Sequence, residues 1–287
     1  MLKFESFWRK YRIELLAFIA ATSIFLTLCL LFGIGFFAKK IPLSKRVVNI
    51  TSIHTPLEKS PRGLAWSGDV LWISYPQDRL IIAYNPRSME IVEKIELQNI
   101  LPLELAWNGK ELLVADAISG QIFFLDVEKN EIIGEVENDW GYPTGLTFYN
   151  DVIYLYDVAS SKLYAVDMKK GMVRSRLFPS VLGLAASEKG LWAVITGNLT
   201  ISLLDYENLE TLETYYCPTP APSGLAWDGE YLWLGNFNSG RIYQLKPGEQ
   251  LWKIRGRGVP SWLVLAYVLV LLPIVFSFLR KSSFYAI

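Results

Sequence analysis

Five short β-rich runs in this sequence end on Tyr75, Asp116, Asp157, Ile195 and Asn236. If the fold brings these ends together, two carboxylates, an amide and a phenol face one space. Such a set can bind a polar ligand through hydrogen bonds and an aromatic face. Asp78 and Arg79 follow Tyr75 closely, and Trp140 and Tyr142 stand just before Pro143. They would add an ion pair and two rings to the same rim. His54, Arg62, Glu104 and Asp139 lie in the segments that link the runs. The Asp and Asn residues also fit a purely structural task. A short acceptor side chain after a strand commonly hydrogen-bonds the backbone of its own turn. Asp126, Asp167 and Asp205, which close later runs, fit that task even better.

Other chemistries find little support. The chain has 28 basic and 28 acidic residues among 287, so it lacks the basic excess expected of a nucleic-acid binder. Its one histidine, His54, cannot form a His-rich metal site, and no metal-ligand spacing is present. Cys29 lies in an apolar run and Cys217 in a loop, so no disulfide framework is expected. No Ser-His-Asp order, phosphate loop or nucleophile motif appears, and no cofactor is expected.

The runs belong to a repeat. Its copies open Gly63-Leu64-Ala65-Trp66, Glu104-Leu105-Ala106-Trp107, Gly145-Leu146-Thr147-Phe148, Gly183-Leu184-Ala185-Ala186 and Gly224-Leu225-Ala226-Trp227. A period of roughly forty residues built from strand-like pieces predicts a β-propeller. Each copy reads as a short inner strand, a turn such as Asp228-Gly229-Glu230, a β-rich second strand, and two further strands. The shared Leu and aromatic positions are expected to form the core between blades. The fold class is therefore all-β, a five-bladed propeller over residues 46–255. A sixth, degenerate blade would have few residues left to build it.

Closure of the ring falls to Arg46 to Ile53, which resembles a fourth strand without a blade of its own. It would complete the last blade and remove an exposed edge, with Val47, Ile50 and Ile53 facing the core across a bulge. Glu249 to Ile254 is the competing candidate, or else the exit strand from the ring. The stretch Gly-Leu-Ala-Trp-Asp-Gly-Glu-Tyr-Leu-Trp at 224–233 resembles NHL-like and glutamine cyclotransferase-like propellers. The resemblance rests on strand and turn positions. It implies a five-bladed ring, and in enzymes of that kind the conversion of N-terminal glutamine to pyroglutamate.

The repeats hang between two apolar runs. Leu15 to Ala38 carries no charge and is long enough to cross a bilayer. It is too long for the apolar core of a signal peptide, and no small-residue cleavage site follows. Val259 to Leu279 is the second expected span, with Pro273 inside it. Tails of residues 1–14 and 280–287 would then share one side. Basic residues flank the spans almost evenly, so the charge rule orients them poorly. The reading adopted is tails in the cytoplasm and propeller outside. Ala17, Ala20, Ser23 and Thr27 on the first span, and Ala266, Pro273 and Ser277 on the second, are expected to form a helix-packing face of small residues.

These features point to a membrane-anchored interaction, scaffold or ligand-binding module, an accessory part of a membrane or envelope complex. Its expected partners are the lipid bilayer and another membrane or envelope protein, with no nucleic acid. An envelope enzyme of glutaminyl cyclotransferase type is the alternative.

Overall fold

The computed structural model describes residues 2–33, 39–42, 45–136, 140–248, 252–255 and 259–283. The chain divides into a propeller unit, residues 44–251, and a helical unit made of residues 1–43 and 252–287.

The propeller has five four-stranded antiparallel sheets among the described residues. Blade 1 comprises Leu64–Trp66, Leu71–Tyr75, Leu80–Asn85 and Glu90–Glu96. Blades 2, 3 and 4 begin with inner strands Pro102–Trp107, Pro143–Tyr149 and Val181–Ser187. Blade 5 takes Pro222–Trp227, Leu232–Asn236 and Ile242–Pro247 from the end of the repeats and Val48–His54 from before them. The leucines shared by the inner strands, from Leu64 to Leu225, are all but fully buried. Each such burial contributes about 1.5–3 kcal/mol. The tight turn after the inner strand needs a left-handed backbone. Gly68 and Gly229 supply it with φ of 102° and 103°, a region that costs glycine little.

The aromatic that ends one inner strand packs on the preceding blade. Trp66 stacks on Trp233 at 6.1 Å, and Trp227 on Trp192 at 6.3 Å. Blade 4 has Ala186 at that place, which leaves room above Tyr154. Tyr206 fills it, 5.3 Å from the Tyr154 ring and stacked on Tyr149 at 4.9 Å. Its hydroxyl donates to the Ser187 carbonyl at 2.8 Å and accepts from the Ser187 amide at 3.1 Å.

The closing strand pairs antiparallel with Ile242–Pro247, from Val48 opposite Pro247 to His54 opposite Ile242. Glu249 to Leu251 lie outside the described residues. Trp252–Arg255, the competing candidate, pairs with Lys39–Pro42 in the helical unit. The expected burial of the closing strand needs correction. The bulge between Ile50 and Ser52 sets Ile50 opposite Leu245 and Ile53 opposite Tyr243, on the face of the blade 4 contact, yet on this outer strand they remain 47% and 51% exposed. The same bulge turns Ser52 toward Gln244.

In the helical unit, α1 runs Leu2–Gly33 and α2 runs Ser261–Ser283 with Pro273 inside. Tyr11–Phe32 of α1 is 22 residues long and apolar enough to cross a membrane; residues 34–38 of the expected span lie outside the described residues. The apolar part of α2, Ser261–Ser277, is shorter. The helices meet through rings and hydroxyls. Phe25 stacks on Tyr267 at 4.1 Å, whose hydroxyl lies 2.9 Å from Thr22 Oγ1, and Phe32 meets Trp262 edge-on at 6.1 Å. Ser277 Oγ donates to Glu14 Oε1 at 3.2 Å. Ala20, Ser23, Thr27, Ala266 and Pro273 are exposed, and Ala17 is half-buried. The contact face of α1 thus lies roughly a third of a turn from the expected stripe of small residues. Of the expected residues on α2, Ala266 stands beside Phe25 and Leu28, and Ser277 bonds Glu14.

Candidate channel-mouth site

The inner strands begin at one mouth of the central channel, where the expected rim residues also gather. Asp116 is buried at the end of its strand. Its Oδ1 accepts the Leu101 amide at 2.8 Å, and its Oδ2 accepts the amide and hydroxyl of Ser119 at 2.9 and 2.7 Å. Asp157 repeats the pattern with the amides of Tyr142 at 2.8 Å, Ala159 at 3.2 Å and Ser160 at 3.0 Å. Asn236 accepts the amides of Asn238 and Ser239, and its amide donates to Thr219 Oγ1 at 2.5 Å. Each side chain joins the turn after its strand to the loop that enters its own blade. Burial alone would raise the Asp157 carboxyl, but these amides and the Ser160 hydroxyl outweigh it and hold it below the usual carboxylate range.

In blade 4 the backbone does the same work, with the Thr196 amide donating to the Ser180 carbonyl at 3.0 Å. In blade 1 Tyr75 is 1% exposed, its hydroxyl has no partner among the described residues, and burial pushes its pKa up. Asp78 accepts from Lys59 Nζ at 2.7 Å, and Arg79, left-handed with φ 52°, donates to the Gln98 carbonyl. Trp140 packs against the core between blades 2 and 3, 6.5 Å from the Tyr164 ring. Tyr142 is 37% exposed, and Asp139 lies outside the described residues. His54 stands apart from these groups, on the closing strand.

One group at the mouth is engaged in no cap. Glu104 occupies the inner-strand position that glycine holds in the other four repeats. The glycines let neighbouring inner strands touch: a Cβ on Gly63 would stand 2.6 Å from Glu104 Cα, and one on Gly183 2.8 Å from the Leu225 amide nitrogen. Glu104 puts a carboxyl where this contact is made elsewhere. It is 2% exposed, in register with Ala115, and no hydrogen bond to its carboxyl is found among the described residues. Burial raises its pKa well above the ordinary value, and the Arg62 guanidinium on the neighbouring strand pulls the other way. Arg62 itself lies 5.4 Å over the Phe237 ring. Bonds within blade 1 and to its neighbours fix the strands around this pair. Ser74 Oγ accepts the Gly63 amide at 2.8 Å and donates to the Leu103 carbonyl at 3.1 Å, and the Gly224 amide donates to the Arg62 carbonyl at 2.5 Å. The departure from glycine is visible in the repeat alignment; the burial and the isolation of the carboxyl are visible only in the structure.

Among the described residues no group of His, Cys, Asp and Glu is placed to hold a metal ion. The mouth can offer a buried carboxyl with a raised pKa, a guanidinium and a rim of aromatic and charged side chains.

This architecture defines a five-bladed β-propeller. No family model matches the chain, and no curated protein does. Among solved structures it is similar to the glutaminyl cyclase of Myxococcus xanthus at 14% identity and a TM-score of 0.60, over 74% of this chain and 98% of that one. Virginiamycin B lyase from Staphylococcus aureus matches at 21% identity and a TM-score of 0.44, over 65% and 66%. The likeness to the cyclase is one of fold.

Proposed function

We propose that this chain is a membrane-anchored β-propeller acting as a binding module in a membrane or envelope complex, with its ligand or partner contact at the channel mouth. Glu104 carries the reading. A buried carboxyl with no hydrogen bond among the described residues, and only the Arg62 charge nearby, costs stability, and the other four repeats use glycine there. A ligand that reaches the mouth and pairs with this acid gives the cost a purpose. Tyr75, Asp78, Arg79, Trp140 and Tyr142 are the rim groups proposed to surround it, while Asp116, Asp157 and Asn236 shape the loops. The length and apolar character of Tyr11–Phe32 support the anchor. A second span over 259–279, cytoplasmic tails and an outward propeller complete the proposal.

The test is co-purification of full-length protein in mild detergent. Glu104→Gln should release a partner that the wild type retains, with no loss of thermal stability. Retention of the same partner by the variant would remove the mouth from the proposal. Cysteines placed on the propeller and the tails, labelled in intact cells, report the orientation.

A second reading rests on the same residue. An acid whose pKa is raised by burial is suited to general acid–base catalysis, and glutaminyl cyclase shares the fold. Purified protein that releases no ammonia from Gln-leading peptides would end that reading.

A further inference from the structure

Blade 5 departs from the others on the face it turns to blade 1. Register aligns Trp72 with Ala83, Leu113 with Phe124, Tyr154 with Ala165 and Trp192 with Leu203. In blade 5, Trp233 is aligned with Gln244, and Gln244 with Ser52 on the closing strand. An amide and a hydroxyl thus stand where the other blades place an apolar side chain in the third strand. A half-buried polar row of this kind is costly unless its groups are bonded.

Most of its bonds can be oriented. Ser52 Oγ donates to Gln244 Oε1 at 3.0 Å, since that oxygen can only accept. Ser52 therefore accepts at 2.8 Å from His54 Nε2, which carries the proton. His54 Nδ1 is then free to accept from the Tyr84 hydroxyl of blade 1 at 3.0 Å. Burial lowers the His54 pKa, in keeping with a neutral ring. The chain of hydrogens runs from Tyr84 to Gln244 Oε1, which also accepts from Thr51 Oγ1 at 2.9 Å, and the two hydrogens on the Gln244 amide nitrogen have no partner among the described residues.

Gln244 lines a cleft of about 430 Å³ between blades 5 and 1. Arg87, on an exposed turn of blade 1, lines it too, and its guanidinium has no partner among the described residues. The acids of the wall are engaged. Asp228 accepts the amides of Glu230 and Tyr231 at 2.8 and 2.6 Å and the Trp233 indole at 2.8 Å, and Glu230 is paired with Lys246 at 2.9 Å. Half-buried Trp66, stacked on Trp233, provides a flat apolar wall. In the corresponding cleft between blades 4 and 5, Arg46 is paired with Glu213 at 2.9 Å and Lys246 with Glu230, and only the exposed Lys189 has no ion pair among the described residues. The cleft at blade 1 therefore has donors to offer and no unoccupied acceptor of equal strength.

We infer that this cleft binds a small ring compound bearing a carboxylate, with the ring against Trp66 and the carboxylate taken by Arg87 and the Gln244 amide. A charged acceptor suits both donors, and hydrogen bonds to it are the stronger kind.

The experiment is saturation-transfer NMR on full-length protein in detergent, with glucuronate and benzoate as probes and glucose and benzamide as their neutral counterparts. At least one acid should bind, about tenfold or more tightly than its neutral counterpart. Whichever acid binds better distinguishes a sugar ring from an aromatic one. Arg87→Ala and Gln244→Leu should each weaken binding by about tenfold. Glu104→Gln should leave it unchanged, which keeps this cleft separate from the channel mouth. Neither acid binding at millimolar concentration would overturn the inference. So would neutral rings binding as well as acids, or an Arg87→Ala protein binding like the wild type. Arg87 is exposed, so its variant keeps the fold and decides the matter even if Gln244→Leu does not fold.

Discussion

Arg46 Nη1 lies 2.9 Å from Glu213 Oε1, on the outer strand of the blade next to the one its own segment completes. The backbone joins in: the Arg46 amide donates to the Thr214 carbonyl at 2.7 Å, and the Tyr216 amide donates to the Arg46 carbonyl at 2.9 Å. The segment thus holds blade 4 by one residue before it pairs along blade 5. Arg46→Ala should lower stability by only about 0.2–1 kcal/mol, since the pair is partly exposed. Deleting residues 46–54 should abolish the cooperative thermal transition of the propeller. An unchanged melt for the deletion would show that the ring closes in another way.

Asp157→Ala should cost about 0.5–2 kcal/mol, by analogy with lost helix caps. The carboxyl titrates below its ordinary value in the folded state. Its contribution is therefore complete above the unfolded pKa and is lost as pH falls through the folded one, below about pH 4. Urea titrations of wild type and variant should converge on acidification. A gap that persists at low pH would remove the charge from the explanation.

Glu104 has the opposite sign. Its folded pKa is raised, so the folded state keeps a proton that the unfolded state loses. Stability should fall as pH rises above about 4.3, the unfolded value, and level off above the folded value. Glu104→Gln should remove this slope and be more stable than the wild type at neutral pH. Parallel denaturation curves at acidic and neutral pH would contradict it.

Tyr206→Phe should cost about 1–3 kcal/mol, because it leaves both backbone groups of Ser187 without their partner. Tyr206→Ala should cost about 3–5 kcal/mol, because Ala186 cannot fill the space above Tyr154. Urea melts that rank the two variants the other way would show that the cavity collapses.

The repeat made the ring legible, because each blade repeats the same inner-strand leucine and three of the five repeat the cap. Asp116 and Asp157 could be read as caps for the same reason: a local bond needs only local sequence. The closing strand could be read as a strand with a bulge, but not how little an outermost strand is covered, and Ile50 and Ile53 stand half exposed. The helix contact escaped for a related reason. A stripe of small residues such as Ala20 and Ser23 is visible in sequence, but the partner ring of Tyr267 is not. The bonds from Tyr84 to Gln244 join residues from three distant stretches, and nothing in any one stretch announces them.

Closure by Val48–His54 also sets an order of events. The first strand of the propeller must wait for Ile242–Pro247, almost its last part to be made. Contacts so distant in sequence form slowly, because a long loop must close before they stabilise anything. Until then blade 5 has an open edge, and four finished blades form an arc that can add a strand from another chain. With the preceding α1 held in a bilayer, the waiting strand would stay close to its own ring, and a neighbour's strand would have to compete with it. The anchor would then serve assembly before it serves location.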